Sequence, residues 1–288
     1  MTEQEIKKKC KSLDHSNETF KNIVENCNNP KFTNLDRWQN FQAQSFKEEN
    51  TLKNNSKYKY YKRGTIVFVN FGTSIGSELS GHHFAIVLNR KDNPYSRTLT
   101  VLPLTSKNKK SNINLGNELI RGVFVETTKQ IYKIISSILN IKQYTVYDDL
   151  SLEVTTSDNS ILKNNDANYY IMNELSCLLT EGISNFTISK ENDLEDLQNR
   201  LEQLLRITDY YSAKKEDSYA IVSSVTTISK LRINKPINDF DPIGKIRVSE
   251  SVLKDIDRSI AKTILNLDNE IWQGQNCAVI FKWTLVAT

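Results

Sequence analysis

Three short apolar segments separated by polar loops constrain the fold of this 288-residue chain more than any other feature. Thr65–Phe71, Phe84–Leu88 and Thr98–Leu104 are rich in the β-branched and aromatic residues that favour strands. Glycines punctuate the first loop, and an Asp-Asn-Pro sequence at 92–94 predicts a turn in the second. Short strands at this spacing predict an antiparallel meander that closes into a small β-barrel.

The polar residues at the ends of these segments predict a chemical site. His82 and His83 stand where the first loop enters the second segment, and Thr105, Ser106 and Lys107 end the third. A histidine, with an ordinary pKa of about 6.5, can act as acid or base at neutral pH. Successive strand side chains point to opposite faces, so we expect one of the two histidines to face the site.

Composition narrows the class of protein only moderately. The net charge of +4 and the isoelectric point of about 8.7 permit an anionic partner without requiring one. We find no apolar run of the ~20 residues that a membrane span needs, and the charged N-terminus does not resemble a signal peptide. Four widely spaced cysteines predict free thiols, a cytoplasmic location and no zinc site.

The remaining sequence predicts helices around the strand region. Residues 1–57 are polar, with a short amphipathic helix near Phe20 and a second helix over 35–50, followed by a linker at 54–57. Helical spacing appears again after residue 119, and leucines between polar residues predict a long helix over 192–211. The further predictions are a loop at 155–168, a helix at 169–179, a strand at 218–228, a helix at 249–267 with Ser249 as its N-cap, and a strand at 278–286.

These patterns give a domain plan for an α+β protein. An N-terminal helical extension, a β-barrel in two parts, a mainly helical insertion and a strand-like tail follow one another. Their predicted limits are 1–57 for the extension, 58–118 and 218–267 for the two parts of the barrel, 119–217 for the insertion and 268–288 for the tail.

Five pieces of the chain, in order and spacing, resemble the MazF/PemK family of toxins from type II toxin–antitoxin systems. They are Arg-Gly-Thr-Ile-Val at 63–67, Gly-Ser-Glu-Leu-Ser-Gly at 76–81, the segment 84–88, Pro-Leu-Thr-Ser at 103–106, and Thr-Thr-Ile-Ser-Lys-Leu-Arg at 226–232 with the helix that contains residues 255–257. The resemblance implies an SH3-like barrel with a C-terminal helix, and usually a homodimer. It also implies cleavage of single-stranded RNA at short sequences without metal or cofactor, and inhibition by an antitoxin.

Carried over residue by residue, the family's catalytic threonine or serine falls on Thr105, which would position the phosphate. Its catalytic arginine falls on His83, and this is a departure from the family pattern. An imidazole can take or give the proton that RNA cleavage by the 2′-hydroxyl requires. We expect the substrate-binding residues to be Arg63, Glu78, His82, Ser106, Lys107 and Arg232.

Two alternatives remain open. The histidine in place of arginine is also compatible with a catalytically inactive member of the same fold that binds RNA, DNA or a protein such as a gyrase. The leucine-rich helix at 192–211 is expected to bind the chain's own barrel, a second copy or an antitoxin.

Overall fold

The computed structural model describes residues 1–51, 57–138, 141–181, 191–214 and 217–267. The predicted linker at 54–57, except for its last residue, and the predicted strand at 278–286 lie outside the described residues. The helices are α1 (Glu3–Asn26), α2 (Leu35–Thr51), α3 (Glu118–Ile138), α4 (Asn164–Glu181), α5 (Glu191–Ser212) and α6 (Glu250–Ile264). The strands are β1 (Ile66–Gly72), β2 (Gly81–Val87), β3 (Thr98–Thr105), β4 (Ile113–Asn114), β5 (Ile141–Val146), β6 (Leu152–Thr156), β7 (Ile161–Lys163), β8 (Tyr219–Ala220) and β9 (Thr226–Ser229).

An antiparallel sheet forms the centre of the molecule, in the strand order β1-β2-β3-β8-β4, with β9 also paired to β3. The three predicted strands are confirmed, but β2 begins three residues earlier than predicted, at Gly81. Pairing with β1 continues through His83 opposite Val69 and His82 opposite Asn70, past which a bulge interrupts the register. The two histidines therefore lie on a paired strand rather than in a loop.

The described strands give a mixed helix-and-sheet fold, as predicted, but they do not form a closed barrel. After β9 the chain returns to β1 through an isolated bridge between Ile233 and Val69, and a second isolated bridge joins Arg247 to Thr65. Single bridges leave the edge of β1 without a continuous ladder of hydrogen bonds. The predicted SH3-like barrel is thus not confirmed.

Apolar residues on both faces of the sheet are buried, because the strands alternate their side chains between two cores. Ile66 and Ile86 point into a core that α3, α5 and α6 cover, and Val67 and Ala85 point into the opposite core. Ile207 of α5 belongs to the first core, as does Tyr211. The C-terminal part of the leucine-rich helix therefore packs against the chain's own sheet.

The region 119–217 contains a second sheet that the prediction of a mainly helical insertion did not include. Strands β5, β6 and β7 pair in sequence order, and their core residues include Val146 and Val154. The predicted loop at 155–168 is wrong, because a tight turn joins β6 to β7 and α4 begins at Asn164. The carboxylate of Asp158 accepts hydrogen bonds from the Thr156 hydroxyl and from Ser160, which explains the polar composition of this hairpin.

The predicted strand at 218–228 is broken into β8 and β9 by a short 3-10 turn at Val222–Ser224. Leu104 of β3 pairs with Ala220, and Val101 pairs with Thr226, so the returning chain has three more residues than β3 over this interval. The turn accommodates the three extra residues, which an uninterrupted strand could not do without losing the register.

Several helix predictions are confirmed. The helix α6 starts from Ser249, whose hydroxyl accepts from the Val252 amide, and α2, α4 and α5 cover their predicted ranges. The first helix is much longer than predicted, since α1 runs from Glu3 and is capped by Thr2, although it contains no buried residue. Among the described residues, no helix is long and apolar enough to cross a membrane.

Candidate active site

A cavity of about 470 Å³ opens where β2 and the end of β3 lie side by side. Pairing of Ala85 with Pro103 sets the two strands in a register that places the histidines of β2 beside the C-terminal end of β3. Five of the residues predicted for the site line this cavity: His82, His83, Thr105, Ser106 and Lys107. The structure therefore brings together the imidazoles, hydroxyls and one cation that the sequence predicted. Both histidines line the cavity, although only one of them was expected to face the site.

The sequence prediction missed the wall that comes from the distant end of α5. Lys214, Asp217 and Ser218 line the same cavity. The Lys214 ammonium lies 5.8 Å from the centre of the Phe84 ring and 4.8 Å from that of Tyr210. These cation–π contacts hold a second positive charge at the cavity. No local pattern could have identified Lys214, because only the tertiary fold returns this segment to β2.

Both ring nitrogens of His83 contact backbone carbonyls. The Nδ1 atom lies 3.0 Å from the Leu104 oxygen, and Nε2 lies 3.0 Å from the Ser80 oxygen. A neutral imidazole has a single N–H, so it can donate to only one of these two acceptors. The protonated imidazolium satisfies both carbonyls at once, and the arrangement fixes the ring over the junction between β2 and β3.

The His82 ring has different surroundings. It is exposed, it lies against Phe68 with 5.7 Å between ring centres, and none of the described residues forms a hydrogen bond with it. Partial burial, followed by the charge of the adjacent His83, lowers the pKa of His82 below 6.5. The neutral form, with a free lone pair, is therefore the dominant form of His82 at neutral pH.

The Thr105 hydroxyl is ordered by the chain that follows it. Its oxygen accepts a hydrogen bond of 3.1 Å from the backbone amide of Lys107. A hydroxyl that accepts one bond still has its own hydrogen to donate. Thr105 thus presents a donor beside His83, as positioning of a phosphate would require.

Arg63 does not reach this cavity. Its guanidinium donates to the backbone oxygen of Leu88 and forms an ion pair with Asp257 of α6. Leu88 lies five residues beyond His83, which corresponds to roughly 17 Å along an extended strand. The Arg63 guanidinium thus links the sheet to α6, and its contact with a substrate stays a prediction.

Glu78 and Arg232 line a separate cavity of about 670 Å³ on the other side of the loop between β1 and β2. The Arg232 guanidinium donates to the backbone oxygens of Asn70 and Phe71 and lies 5.2 Å from the centre of the Trp38 ring. Burial lowers the pKa of Arg232. Its hydrogen bonds hold the ends of β1 and β9 together, away from the histidine cavity.

The described residues include no group of three or more His, Cys, Asp or Glu side chains arranged to bind a metal ion. The chemistry of the histidine cavity is instead that of acid–base groups and donors. Imidazoles, hydroxyls and ammonium groups can donate hydrogen bonds to an anionic ligand such as a phosphodiester.

Residues 62–148 match the family model described as "PemK-like, MazF-like toxin of type II toxin-antitoxin system". This segment therefore belongs to the MazF/PemK family of toxins, and the resemblance inferred from the sequence is confirmed. No match is found among curated proteins.

The matched segment contains β1 to β4 and continues through α3 and β5. It thus includes helix and strand residues that the domain plan assigned to the insertion, and it ends before the returning strands β8 and β9. Leu119 and Val123 of α3 lie in the same core as Ile66. The domain limits remain a prediction.

Proposed function

We propose that this chain is a toxin that cleaves single-stranded RNA without a metal ion, and that the histidine cavity is its active site. The observation that carries the proposal is the convergence, in one cavity, of two histidines, Thr105 and Lys107 from the MazF/PemK-like segment. Lys214, from outside that segment, adds a second cation to the same cavity. The family implies an antitoxin partner. A homodimer stays a prediction.

Cleavage needs a base for the RNA 2′-hydroxyl and an acid for the leaving 5′-oxygen. We assign the base to His82, whose lowered pKa leaves an unprotonated nitrogen exposed in the cavity. The 2′-oxygen attacks phosphorus as His82 takes its proton, and the bond from phosphorus to the 5′-oxygen breaks. The products are a 2′,3′-cyclic phosphate and a 5′-hydroxyl end.

The proton for the leaving oxygen comes from His83, as its imidazolium form carries a hydrogen on each nitrogen. Release of one of its two carbonyl contacts, at Ser80 or Leu104, frees that hydrogen. The remaining contact keeps the ring in place. Thr105 donates to a phosphate oxygen, and Lys107 and Lys214 stabilise the negative charge that develops on the phosphate oxygens.

The test is cleavage of a single-stranded RNA in EDTA by the purified full chain. Alanine at His82 or His83 should lower kcat by about 10²- to 10⁴-fold, the usual range for loss of a general acid or base. His15 on α1 is exposed and serves as the matched control, so His15→Ala should retain full activity. Intact RNA with folded wild-type protein would refute the proposal.

One observation favours a second candidate function, a catalytically inactive binding protein. Both His83 nitrogens already contact backbone carbonyls, so the residue could serve only to hold the strands together. Growth arrest on expression that persists in His83→Ala, with no new RNA ends, would favour binding to a partner such as a gyrase. Loss of both arrest and new RNA ends would favour the ribonuclease.

A further inference from the structure

The N-terminal extension is fixed onto the loop between β1 and β2 by specific contacts. The Lys31 ammonium donates to the Gly76 oxygen at 2.6 Å. The Trp38 ring lies directly on the backbone of Gly72, where an added Cβ would be 2.4 Å from the ring. Arg232 covers Trp38 by a cation–π contact. The first turn of α2 is therefore held at one end of the sheet.

This docking creates a cavity of about 330 Å³ between α2 and the loop, here named the α2 cavity. Its lining includes Lys31, Arg37, Thr73, Ser80 and His82. Among the described residues that line it there are two permanent cations and no carboxylate. The adjoining cavity with Arg232, by contrast, also contains Glu78.

His82 joins the α2 cavity to the proposed active site, because this residue lines both cavities. An RNA strand with its scissile phosphate beside His82 would continue into the α2 cavity. The shared residue His82 therefore connects the cavity formed by the N-terminal extension to the proposed active site on β2.

We propose that the α2 cavity binds the phosphodiester backbone of the RNA next to the cleaved position, with Lys31 and Arg37 as the phosphate-binding residues. The inference rests on the proposed ribonuclease function and adds a substrate subsite whose two phosphate-binding residues lie outside the matched segment 62–148. The extension thereby becomes part of the substrate-binding surface.

The two cations are available for this role. Lys31 uses one of its three ammonium hydrogens on Gly76, which leaves two for a phosphate. Arg37 is exposed, and no described residue pairs with its guanidinium, whose planar shape suits bidentate binding of phosphate. Trp38 is already in contact with Phe41, Arg232 and Gly72, so it positions the helix rather than stacking on a base. Backbone contacts of this kind add affinity without sequence preference.

The first measurement is binding of a fully 2′-O-methylated single-stranded RNA, which cannot be cleaved, to the full chain at a series of salt concentrations. The logarithm of the affinity falls linearly with the logarithm of the salt concentration, and each phosphate contact of a single strand contributes about 0.7 to this slope. The double variant Lys31→Gln/Arg37→Gln should therefore reduce the magnitude of the slope by about 0.7 to 1.4. Arg37→Gln alone keeps the Lys31 contact that docks α2, and should lower it by about 0.7. Lys21→Gln/Lys47→Gln removes equal charge from exposed positions of the same extension and should leave the slope unchanged.

The second measurement is cleavage of a dinucleotide and of a longer RNA. The Lys31→Gln/Arg37→Gln variant should raise KM for the longer RNA by about tenfold, as for loss of a charge-assisted contact, with kcat unchanged. Cleavage of the dinucleotide, which occupies only the active site, should match wild type.

The outcomes separate the two proposals. A slope equal to that of wild type, or no binding of the modified RNA by wild type, overturns the α2 subsite even if RNA is cleaved. If Lys31→Gln/Arg37→Gln reduces the slope but the wild-type protein cleaves no RNA, Lys31 and Arg37 bind RNA phosphates, and both the ribonuclease function and the placement of these contacts next to a cleaved position are refuted. If the α2 cavity binds a protein partner instead of RNA, the wild-type chain will not bind the modified RNA. This result also overturns the subsite.

Discussion

The buried ion pair between Lys230 and Asp92 gives the sharpest test of how the sheet is held together. The ammonium lies 2.8 and 2.9 Å from the two carboxylate oxygens and 3.2 Å from the Asn93 backbone oxygen. Only 3% of the Lys230 side chain and 1% of the Asp92 side chain are exposed. The same carboxylate accepts the Tyr61 amide at 2.9 Å, and burial with the Asp92 charge raises the pKa of Tyr61 to about 12.

Lys230→Met removes the cation and leaves a buried carboxylate with the Tyr61 amide as its remaining hydrogen-bond donor among the described residues. Breaking a buried pair on one side costs about 3–5 kcal/mol, because the desolvated charge is no longer compensated. With an m value of about 2 kcal/mol per molar urea, a loss of about 4 kcal/mol lowers the unfolding midpoint by about 2 M.

The assay is urea unfolding followed by circular dichroism at pH 7. The double variant Lys230→Met/Asp92→Asn removes the uncompensated charge, and should recover part of the stability lost in the single variant. Arg258 pairs with Asp255 at the surface with 59% and 58% of the side chains exposed, so Arg258→Met should cost less than about 1 kcal/mol. A loss below about 1 kcal/mol for Lys230→Met would refute the reasoning, because that is the value of an exposed pair.

Two further predictions concern the site and the extension. If His82 is the base, kcat/KM for RNA should rise with pH to a plateau through a midpoint below 6.5, since its lowered pKa keeps it neutral above that point, and His82→Ala should remove this acid limb. A limb that persists in His82→Ala would assign the base to another group. Gly72→Ala should displace Trp38 and speed proteolysis of α2, because the new Cβ would lie 2.4 Å from the ring at a φ of +75°. Gly76→Ala has a similar φ of +58° but open space around it, so it should lose only about 1–2 kcal/mol to backbone strain and keep α2 docked; equal proteolysis of the two variants would contradict this account.

The sequence predicted strands and helices well where local signals, such as the spacing of apolar residues and a capping residue, indicate the same element. The apolar stripe and N-cap of α6, and the β-branched and aromatic content of β1 to β3, are local patterns that packing did not alter. The prediction was weaker where pairing decides the structure. The break between β8 and β9 follows from a register difference with β3, and the sheet of β5 to β7 follows from short hairpins whose polar turns resemble a loop.

The candidate site shows the same division. His82, His83, Thr105, Ser106 and Lys107, which the sequence predicted for one site, line one cavity, because neighbouring antiparallel strands bring their ends together. It could not separate the two histidines by environment. The contacts of His83 with two carbonyls depend on the exact position of β3 and the loop, which no spacing encodes.

The sequence by itself determined the strand segments, the family of the segment 62–148 and the residue types at the site. These depend on local pattern and on short motifs, which are fixed along the chain. Apart from Lys107, the tertiary structure alone decided which cations line the same cavities as the histidines. It placed Lys214 at the active-site cavity and Lys31 with Arg37 in the α2 cavity, while Arg63 and Arg232 were drawn into structural contacts. The physical reason is that a charged side chain acts over a few ångströms in space, whatever its distance along the chain.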